Sequence, residues 1–136
     1  MAVAAIIVDE SSRVLFIKRA REPDKGKLAL PGGFVDIGET AEDALRREVR
    51  EEVNLEIGPL EFLCSQTNEY RYLGTTYPVL DLFFITRARS LEGIAALDGV
   101  DGFSWLDPRT VPPADIAFRS IREAIRIHAS GLKPNS

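Results

Sequence analysis

Three glutamates on one predicted helix constrain this chain more than any other feature of its sequence. The stretch 40–53 contains no glycine or proline, and its apolar residues recur at helical spacing, which predicts a helix with one face against a core. Glu48, Glu51 and Glu52 stand at positions i, i+3 and i+4, so they share a face beside the apolar stripe. Like charges at this spacing destabilise a helix by about a few tenths of a kcal/mol per pair. Clustered carboxylates of this kind are typical of a site for a hard divalent cation such as Mg²⁺.

The sequence also marks both ends of this helix. Thr40 is placed to cap the N-terminus, with Asp43 three residues later. Asn54 follows the last apolar position and predicts a left-handed residue that ends the helix, because asparagine tolerates positive φ. Before the helix, Gly32 and Gly33 permit a tight loop that offers backbone carbonyls or amides to a metal or phosphate.

The other apolar runs predict strands and one more helix. The strands are expected at residues 2–8, 14–17, 28–30, 60–65, 79–86 and 103–106. Four polar residues separate the first two, so these are expected to pair as a hairpin. Residues 68–74 and 97–102 are expected to form turns or loops, and a second helix is expected from Ala114 to Ser130, terminated by Gly131. This order favours an α/β fold in which helices pack on the faces of a mixed sheet.

Composition excludes several classes of function. The 136 residues fit a single domain, residues 1–136, and the net charge of −4 disfavours an electrostatically driven nucleic-acid binder. No apolar run approaches the roughly 18 residues of a membrane span, and the apolar start of the chain is too short for a signal peptide. The single cysteine, Cys64, cannot form an intramolecular disulfide or a Cys-rich zinc site and is expected in the core. We therefore expect a cytoplasmic protein without nucleic-acid or membrane partners.

The glutamate helix is part of a longer pattern that resembles the Nudix box, G-x5-E-x7-R-E-U-x-E-E-x-G-U, where U is an aliphatic residue. The matching positions are Gly33, Glu39, Arg47, Glu48, Val49, Glu51, Glu52 and Leu55. Asn54 replaces the last glycine, a change that a residue tolerant of the left-handed conformation accommodates. The resemblance implies a Nudix domain built as an α/β/α sandwich with a mixed β-sheet, and hydrolysis of a nucleoside diphosphate linked to another group with Mg²⁺ or Mn²⁺.

The resemblance also implies which residues bind the metal and perform the chemistry. Glu48, Glu51 and Glu52 would be metal ligands, joined by Gly33 of the preceding loop. One glutamate of the box, Glu48 or Glu51, would orient or deprotonate the attacking water. These roles agree with the reaction, because hydrolysis of a phosphoanhydride needs charge neutralised on phosphate oxygens and a water activated near neutral pH, and divalent metals do both.

Further residues take supporting roles under the same resemblance. Arg47 would act beside the glutamates and, together with Glu39 and Gly32, brace the loop and the helix. Relatives often carry a catalytic acid on a late loop, and this chain has Asp98 and Asp101 there, although a simple turn is the alternative.

Substrate contacts are expected from one arginine and three tyrosines. Arg19 can reach phosphates. Tyr70, Tyr72 and Tyr77 can stack on a base, with packing as the alternative for each. Ser65-Gln66 resembles the opening of the array that marks NADH pyrophosphatases of the family, but the rest of that array and the zinc-binding cysteines are absent. ADP-ribose or a dinucleotide is therefore favoured, and a nucleoside triphosphate is the alternative.

A non-catalytic nucleotide sensor on the same fold is the alternative from another functional class. Such a sensor is expected to lose a metal glutamate or to carry an added DNA-binding domain, and this sequence shows neither. The expected partner is a small nucleotide, and a homodimer is compatible with the sequence. His128, the single histidine, continues the apolar stripe of the last helix and is expected to pack there or to lie at the helix end rather than to catalyse.

Overall fold

The chain folds into two sheets and two α-helices. The structure is a computed structural model that describes residues 1–132. In chain order the elements are β1 (Ala2–Ile7), β2 (Val14–Arg19), β3 (Leu28–Ala29), β4 (Gly32–Phe34), α1 (Ala41–Val53), β5 (Glu61–Tyr72), β6 (Thr75–Thr86), β7 (Val100–Leu106), a 3₁₀ turn (Pro113–Asp115) and α2 (Arg119–Ser130). The larger sheet has the order β4-β1-β6-β5 and the smaller one β3-β2-β7. Strands β1 and β6 run parallel and the other pairs antiparallel, so the larger sheet is mixed and the predicted α/β class is confirmed.

The hairpin predicted between the first two strands is wrong. The side chain of Asp9 accepts the backbone N–H groups of Ser11 and Arg13, which closes a tight turn as expected. After one bridge between Val8 and Val14, however, β1 joins the larger sheet and β2 the smaller one. Both strands are almost fully buried without polar alternation, and such strands lie between layers of a fold rather than side by side in a solvent-facing hairpin.

Strands β5 and β6 form a long hairpin that the sequence did not predict. They pair over their full lengths, and the turn is confined to Leu73 and Gly74, whose φ angles are 50° and 78°. Positive φ at both central residues is the geometry that lets a two-residue turn follow the twist of its strands. The turn expected over residues 68–74 is therefore wrong for residues 68–72, which continue β5.

Two other boundaries differ from the sequence prediction. Strand β7 begins at Val100, inside the predicted loop, because Val100 pairs with Arg19 of β2. Helix α2 begins at Arg119 rather than at Ala114, because Phe118 has a φ of 65° that no helical residue adopts. The segment before it forms only a short 3₁₀ turn. No helix within residues 1–132 is long and apolar enough to cross a membrane.

Helix α1 packs against β1 and β4, and helix α2 packs against β5. The predicted apolar stripe of α1 is confirmed, since Leu45, Val49 and Val53 are completely buried. The Thr40 hydroxyl accepts the N–H of Asp43 and caps the first turn, as the sequence predicts. The core thus holds the helix so that its acidic face lies along the edge of the buried stripe.

Asn54 ends α1 in the predicted left-handed conformation. Its φ is 58° and its ψ 43°, and its N–H donates to the carbonyl of Arg50. Its side-chain amide donates to the carbonyl of Gly93, 3.0 Å away. The same loop donates the N–H of Leu97 to the carbonyl of Glu52, so a distant segment caps the end of the glutamate helix.

Replacement of Asn54 by valine is expected to lower the free energy of unfolding by about 1–2 kcal/mol, because a β-branched residue resists positive φ and cannot reach Gly93. Asn54→Gly is expected to stay within about 0.5 kcal/mol of the wild type, because glycine adopts this φ freely. Urea melts of the three proteins measure both effects. Equal stability of the valine variant and the wild type would contradict the left-handed cap.

Candidate active site

Two glycines bring the backbone of β4 against the carboxylates of α1. The N–H of Gly32 donates to Glu52 Oε1 over 2.8 Å. A Cβ atom at Gly33 would lie 2.5 Å from the carboxyl carbon of Glu48, and one at Gly32 would lie 2.1 Å from the carbonyl oxygen of Val3. Gly32 therefore requires glycine because of the neighbouring strand, whereas a side chain at Gly33 would displace the carboxylate of Glu48.

Arg47 links the loop before α1 to the acidic face of the helix. Its guanidinium binds the carboxylate of Glu39 through Nε and Nη2, at 2.8 and 2.9 Å. Nη1 donates to Glu48 at 2.9 Å and to Glu51 at 3.2 Å, and Nη2 also reaches the carbonyl of Phe34. The hydrogen bonds from Arg47 are the main cause that lowers the pKa of Glu39 to about 2. The structure thus brings together the residues assigned to bracing and two of the three proposed metal ligands.

Glu52 is the most deeply placed acid of the cluster. Burial, with repulsion from Glu48 and Asp98, raises its pKa to about 8, against the hydrogen bond from Gly32 and the charge of Arg19. Burial also raises the pKa of Glu48, although Arg47 opposes this. Two partly desolvated carboxylates beside one another are an environment that favours a positive charge.

The donors at this site fit a hard divalent cation by their chemistry. Glu48, Glu51 and Glu52 present carboxylate oxygens on adjacent turns of α1, and the missing side chain at Gly33 leaves space against Glu48. Oxygen-only donor sets of this kind suit Mg²⁺ or Mn²⁺. In the arrangement seen, Glu48 and Glu51 meet at Arg47 while Glu52 turns to Gly32. No three carboxylate, histidine or cysteine side chains within residues 1–132 are gathered closely enough to enclose an ion.

A cavity of about 160 Å³ opens beside β4, lined by residues of both sheets and of α2. Its walls include the aromatic rings of Phe34, Tyr70 and Phe118. The rings of Phe34 and Tyr70 meet edge to face with centroids 5.4 Å apart. The guanidinium of Arg19 lies 4.9 Å from the centroid of Phe118, which places a positive charge at the aromatic wall.

Polar groups at one side of this cavity come from residues that sequence reasoning missed. Asp81 accepts a hydrogen bond from the hydroxyl of Ser120 and interacts with the side chain of Asn68. Burial raises the pKa of Asp81. The signal that could have found it is a lone carboxylate inside the apolar run 79–86, where a charge needs a local partner. Phe118 carried no such signal, because its place depends on the break before α2.

The residues predicted to contact substrate are not all gathered at the cavity. Arg19 and Tyr70 line it. Tyr72 stacks on Tyr70 with centroids 6.4 Å apart but is 55% exposed. Tyr77 lies opposite Tyr70 in the β5–β6 ladder and is 49% exposed. The structure therefore places Tyr72 and Tyr77 on the outer part of the hairpin, away from the cavity lining.

Of the two late acids, Asp98 is the one beside the carboxylates. It forms an ion pair with Arg21 at 2.7 Å, and its charge contributes to the raised pKa of Glu52. Asp101 lies on β7 rather than on the predicted loop and is exposed, and its side chain makes no hydrogen bond or ion pair with residues 1–132. The Arg21–Asp98 pair joins the loops that precede β3 and β7 next to Glu52.

The two residues assigned to packing lie outside the site. His128 is 8% exposed in the last turns of α2, and burial lowers its pKa, which confirms a packed histidine. Cys64 is only partly buried and packs at the margin of the core, so its expected place inside the core is wrong.

Known proteins show the same pattern of sequence. The chain matches the family model of the NUDIX domain over residues 1–126. It is 51% identical over 49 residues to the ADP-ribose pyrophosphatase of Methanocaldococcus jannaschii, a match that covers 36% of this chain and 29% of that protein. It is 40% identical over 130 residues to the 8-oxo-dGDP phosphatase NUDT18 of Homo sapiens, covering 93% of this chain and 38% of that protein. The matched segments thus span well under half the length of these two relatives.

A solved structure shows the same fold. The MutT NUDIX hydrolase from Burkholderia pseudomallei superposes with a TM-score of 0.78 at 25% identity, over 92% of this chain and 94% of that one. Family pattern, fold and the arrangement of the box residues around β4 and α1 agree, and the chain belongs to the Nudix hydrolase family.

Proposed function

We propose that this protein uses Mg²⁺ or Mn²⁺ to hydrolyse the phosphoanhydride bond of a nucleoside diphosphate derivative, with ADP-ribose or a dinucleotide favoured. One observation carries the proposal: Gly32 and Gly33 line the aromatic cavity and also contact Glu52 and Glu48. A base in the cavity and a diphosphate at the carboxylates can therefore belong to one substrate. The match to a protein named ADP-ribose pyrophosphatase, at 51% identity over 49 residues, supports the same substrate class.

Residues of α1 and β4 would bind the cation or position the groups that bind it. Glu48, Glu51 and Glu52, with a backbone oxygen at Gly33, would hold it. When bound, such a cation neutralises charge on phosphate oxygens and lowers the pKa of a water molecule. Arg47 keeps Glu48 and Glu51 in position through the hydrogen bonds described above.

The attacking water must lose a proton as the bond between phosphorus and the bridging oxygen breaks. Glu48 and Glu51 are the acids of the cluster that lie on the side of Arg47, and we assign the proton to this pair. Asp98 is favoured over Asp101 as the additional acid, because Asp98 is close enough to Glu52 to affect its pKa and is fixed by Arg21.

The cavity provides the contacts for the base. Tyr70, Phe34 and Phe118 offer ring surfaces, and Asn68 and Asp81 offer hydrogen-bonding groups. Stacking on aromatic side chains contributes about 1–3 kcal/mol per base in nucleotide-binding proteins. Arg19 lies between this wall and Glu52, where a guanidinium can contact a phosphate.

Tyr70→Ala is expected to raise KM about tenfold and to change kcat less than about threefold, because stacking binds substrate and transition state alike. Tyr77→Ala is the matched control, since it removes the same side chain from the facing position of the ladder, outside the cavity. Steady-state kinetics on the best substrate measure both. Equal KM values for the wild type and Tyr70→Ala would place the base elsewhere.

A panel of nucleotides with Mg²⁺ and with Mn²⁺ tests the proposal by identifying products. AMP and ribose 5-phosphate from ADP-ribose would support it. A second candidate is a nucleoside di- or triphosphate, favoured by the match over 93% of this chain to a protein named 8-oxo-dGDP phosphatase. Release of phosphate or pyrophosphate from such nucleotides, without turnover of ADP-ribose, would establish that candidate. Binding without turnover of any nucleotide would instead indicate a sensor.

A further inference from the structure

Strand β5 forms one edge of the larger sheet over 12 residues. An open edge presents unpaired N–H and C=O groups to which another strand can pair, and proteins usually protect such edges with lysine, proline or a covering segment. Strand β5 contains neither lysine nor proline. Among the described residues, one hydrogen bond reaches the outer backbone of β5 between residues 67 and 72. Arg119 donates it to the carbonyl of Thr67.

The hairpin that contains this edge also exposes apolar side chains. Eleven large apolar side chains are exposed within residues 1–132, and five of them lie on this hairpin. The hairpin spans only 26 residues, 61–86. The five are Phe62, Tyr72, Leu73, Tyr77 and Leu80. Tyr72 and Leu73 lie at the turn end of the open edge, whereas Tyr77 and Leu80 lie on β6 and Phe62 lies at the other end of β5. Exposed apolar side chains at an open strand edge are typical of a surface that another chain covers.

Strand β5 carries two opposite charges that would face each other if two copies of the strand paired antiparallel. Glu69 and Arg71 flank Tyr70, and neither forms an ion pair with any residue from 1 to 132. In an antiparallel strand the backbone groups of alternate residues point to the same side. Because the carbonyl of Thr67 is reached by Arg119 from outside the ladder, Glu69 and Arg71 direct their backbone groups away from β6.

We propose that β5 pairs with β5 of a second copy of this chain, antiparallel, about a two-fold axis at Tyr70. Glu69 then stands opposite Arg71 of the partner subunit, and Arg71 stands opposite the partner subunit's Glu69, as two hydrogen-bonded pairs. Asn68 stands opposite Tyr72 of the partner subunit, and the ladder ends there because Leu73 belongs to the turn. Residues 68–72 form the joint, and the two larger sheets become one sheet of eight strands. A two-fold contact of this kind closes on itself and forms a dimer rather than a fibre.

The position of the axis connects the dimer to the cavity. The proposed axis passes through the backbone of Tyr70, and the side chain of Tyr70 lines the cavity. Asn68, which also lines the cavity, lies within the paired segment. The proposed contact therefore fixes the strand that carries two lining residues of each site.

Sedimentation and light scattering of the wild type are expected to give twice the 15.1-kDa mass of the chain. Glu69→Arg and Arg71→Glu each place like charges opposite one another at two points of the joint. Each is expected to raise the dissociation constant of the dimer about tenfold or more. A one-to-one mixture of these two variants is expected to restore dimers, because every 69–71 pair then joins opposite charges. The double exchange Glu69→Arg/Arg71→Glu is expected to restore them for the same reason.

Glu61→Arg is the matched control, because it reverses a charge on the same strand outside residues 68–72 and is expected to leave the dimer unchanged. A monomeric wild type at every concentration that stays in solution would overturn the proposal. Dimers that persist in both single variants would also overturn it, and so would a mixture of folded single variants that stays monomeric. Far-UV circular dichroism of each variant checks that it is folded.

Discussion

Glu52→Gln is expected to lower turnover about 100-fold or more while leaving the metal-free protein at least as stable as the wild type. The loss follows because the change removes a charged ligand from a site whose charge stabilisation contributes several kcal/mol. The amide keeps an oxygen that can accept the N–H of Gly32. Stability is retained because the amide, like the protonated carboxyl that this site favours up to about pH 8, carries no charge for Glu48 and Asp98 to repel.

The effect on stability depends on pH with a definite sign. The folded protein raises the pKa of Glu52 to about 8, so the carboxyl keeps its proton up to that pH, whereas the ordinary pKa of a glutamate is 4.5. Glu52 therefore stabilises the folded state most at low pH, and its contribution is lost as the pH rises through 8. The gain from Glu52→Gln is expected to be larger at pH 8.5 than at pH 5, because these two values lie near the ends of the interval from 4.5 to about 8 over which the contribution of Glu52 falls.

Thermal melts with and without Mg²⁺, together with one activity assay, test the three parts of this prediction. The rise in Tm that Mg²⁺ causes is expected to shrink in Glu52→Gln, because stabilisation by a ligand follows its affinity. Glu56→Gln is the control, since Glu56 is exposed, pairs only with Arg50 among the described residues and lies just beyond α1. Wild-type activity with an unchanged effect of Mg²⁺ would exclude Glu52 from a metal site.

Gly33→Ala is expected to lower kcat about 100-fold with little loss of stability. The added methyl carbon would lie 2.5 Å from the carboxyl carbon of Glu48 and 2.7 Å from both its oxygens, so Glu48 must move. Displacement of a reacting or ligating group by about 1 Å can reduce a rate about 100-fold. The cost in stability is small because the displaced atoms are the end of a flexible side chain.

Alanine at two other glycine positions separates this loss of activity from a loss of stability. Gly58→Ala is the neutral control, because a Cβ there lies 3.5 Å from the nearest atom, an ordinary contact. Gly32→Ala places its Cβ 2.1 Å from a backbone oxygen of β1 and is expected to impair folding itself. Urea melts and steady-state kinetics of all three variants give the comparison. Activity of Gly33→Ala equal to that of Gly58→Ala would contradict the role of Glu48 in the site.

The carboxylate helix could be predicted from the sequence because its determinants are local. Leu45, Val49 and Val53 repeat at the helical period, and Thr40 and Asn54 supply the caps, so α1 and its acidic face follow from 15 consecutive residues, 40–54. The Nudix box spans the same region, which is why the proposed metal ligands and the bracing residues were found together.

The cavity could not be predicted in the same way, because its lining comes from positions far apart in the chain. Phe34, Tyr70 and Phe118 meet only after both sheets have formed and α2 has packed on β5. The predicted hairpin of β1 and β2 failed for a related reason. The turn at Asp9 is local and was recognised, but the sheet that each strand joins is decided by burial on both faces, which no short pattern reports.

The pair Gly32–Gly33 has a consequence for how substrate preference changes in a protein of this design. The residues of this short segment contact the carboxylates and also line the aromatic cavity. On the proposed assignment, substitutions at Tyr70 or Phe118 would change which nucleotide binds without touching the carboxylates of α1. An engineer who wants a new specificity would vary the cavity walls in a library and keep β4 and α1 constant. The same separation would let recognition change in evolution while the reaction is retained.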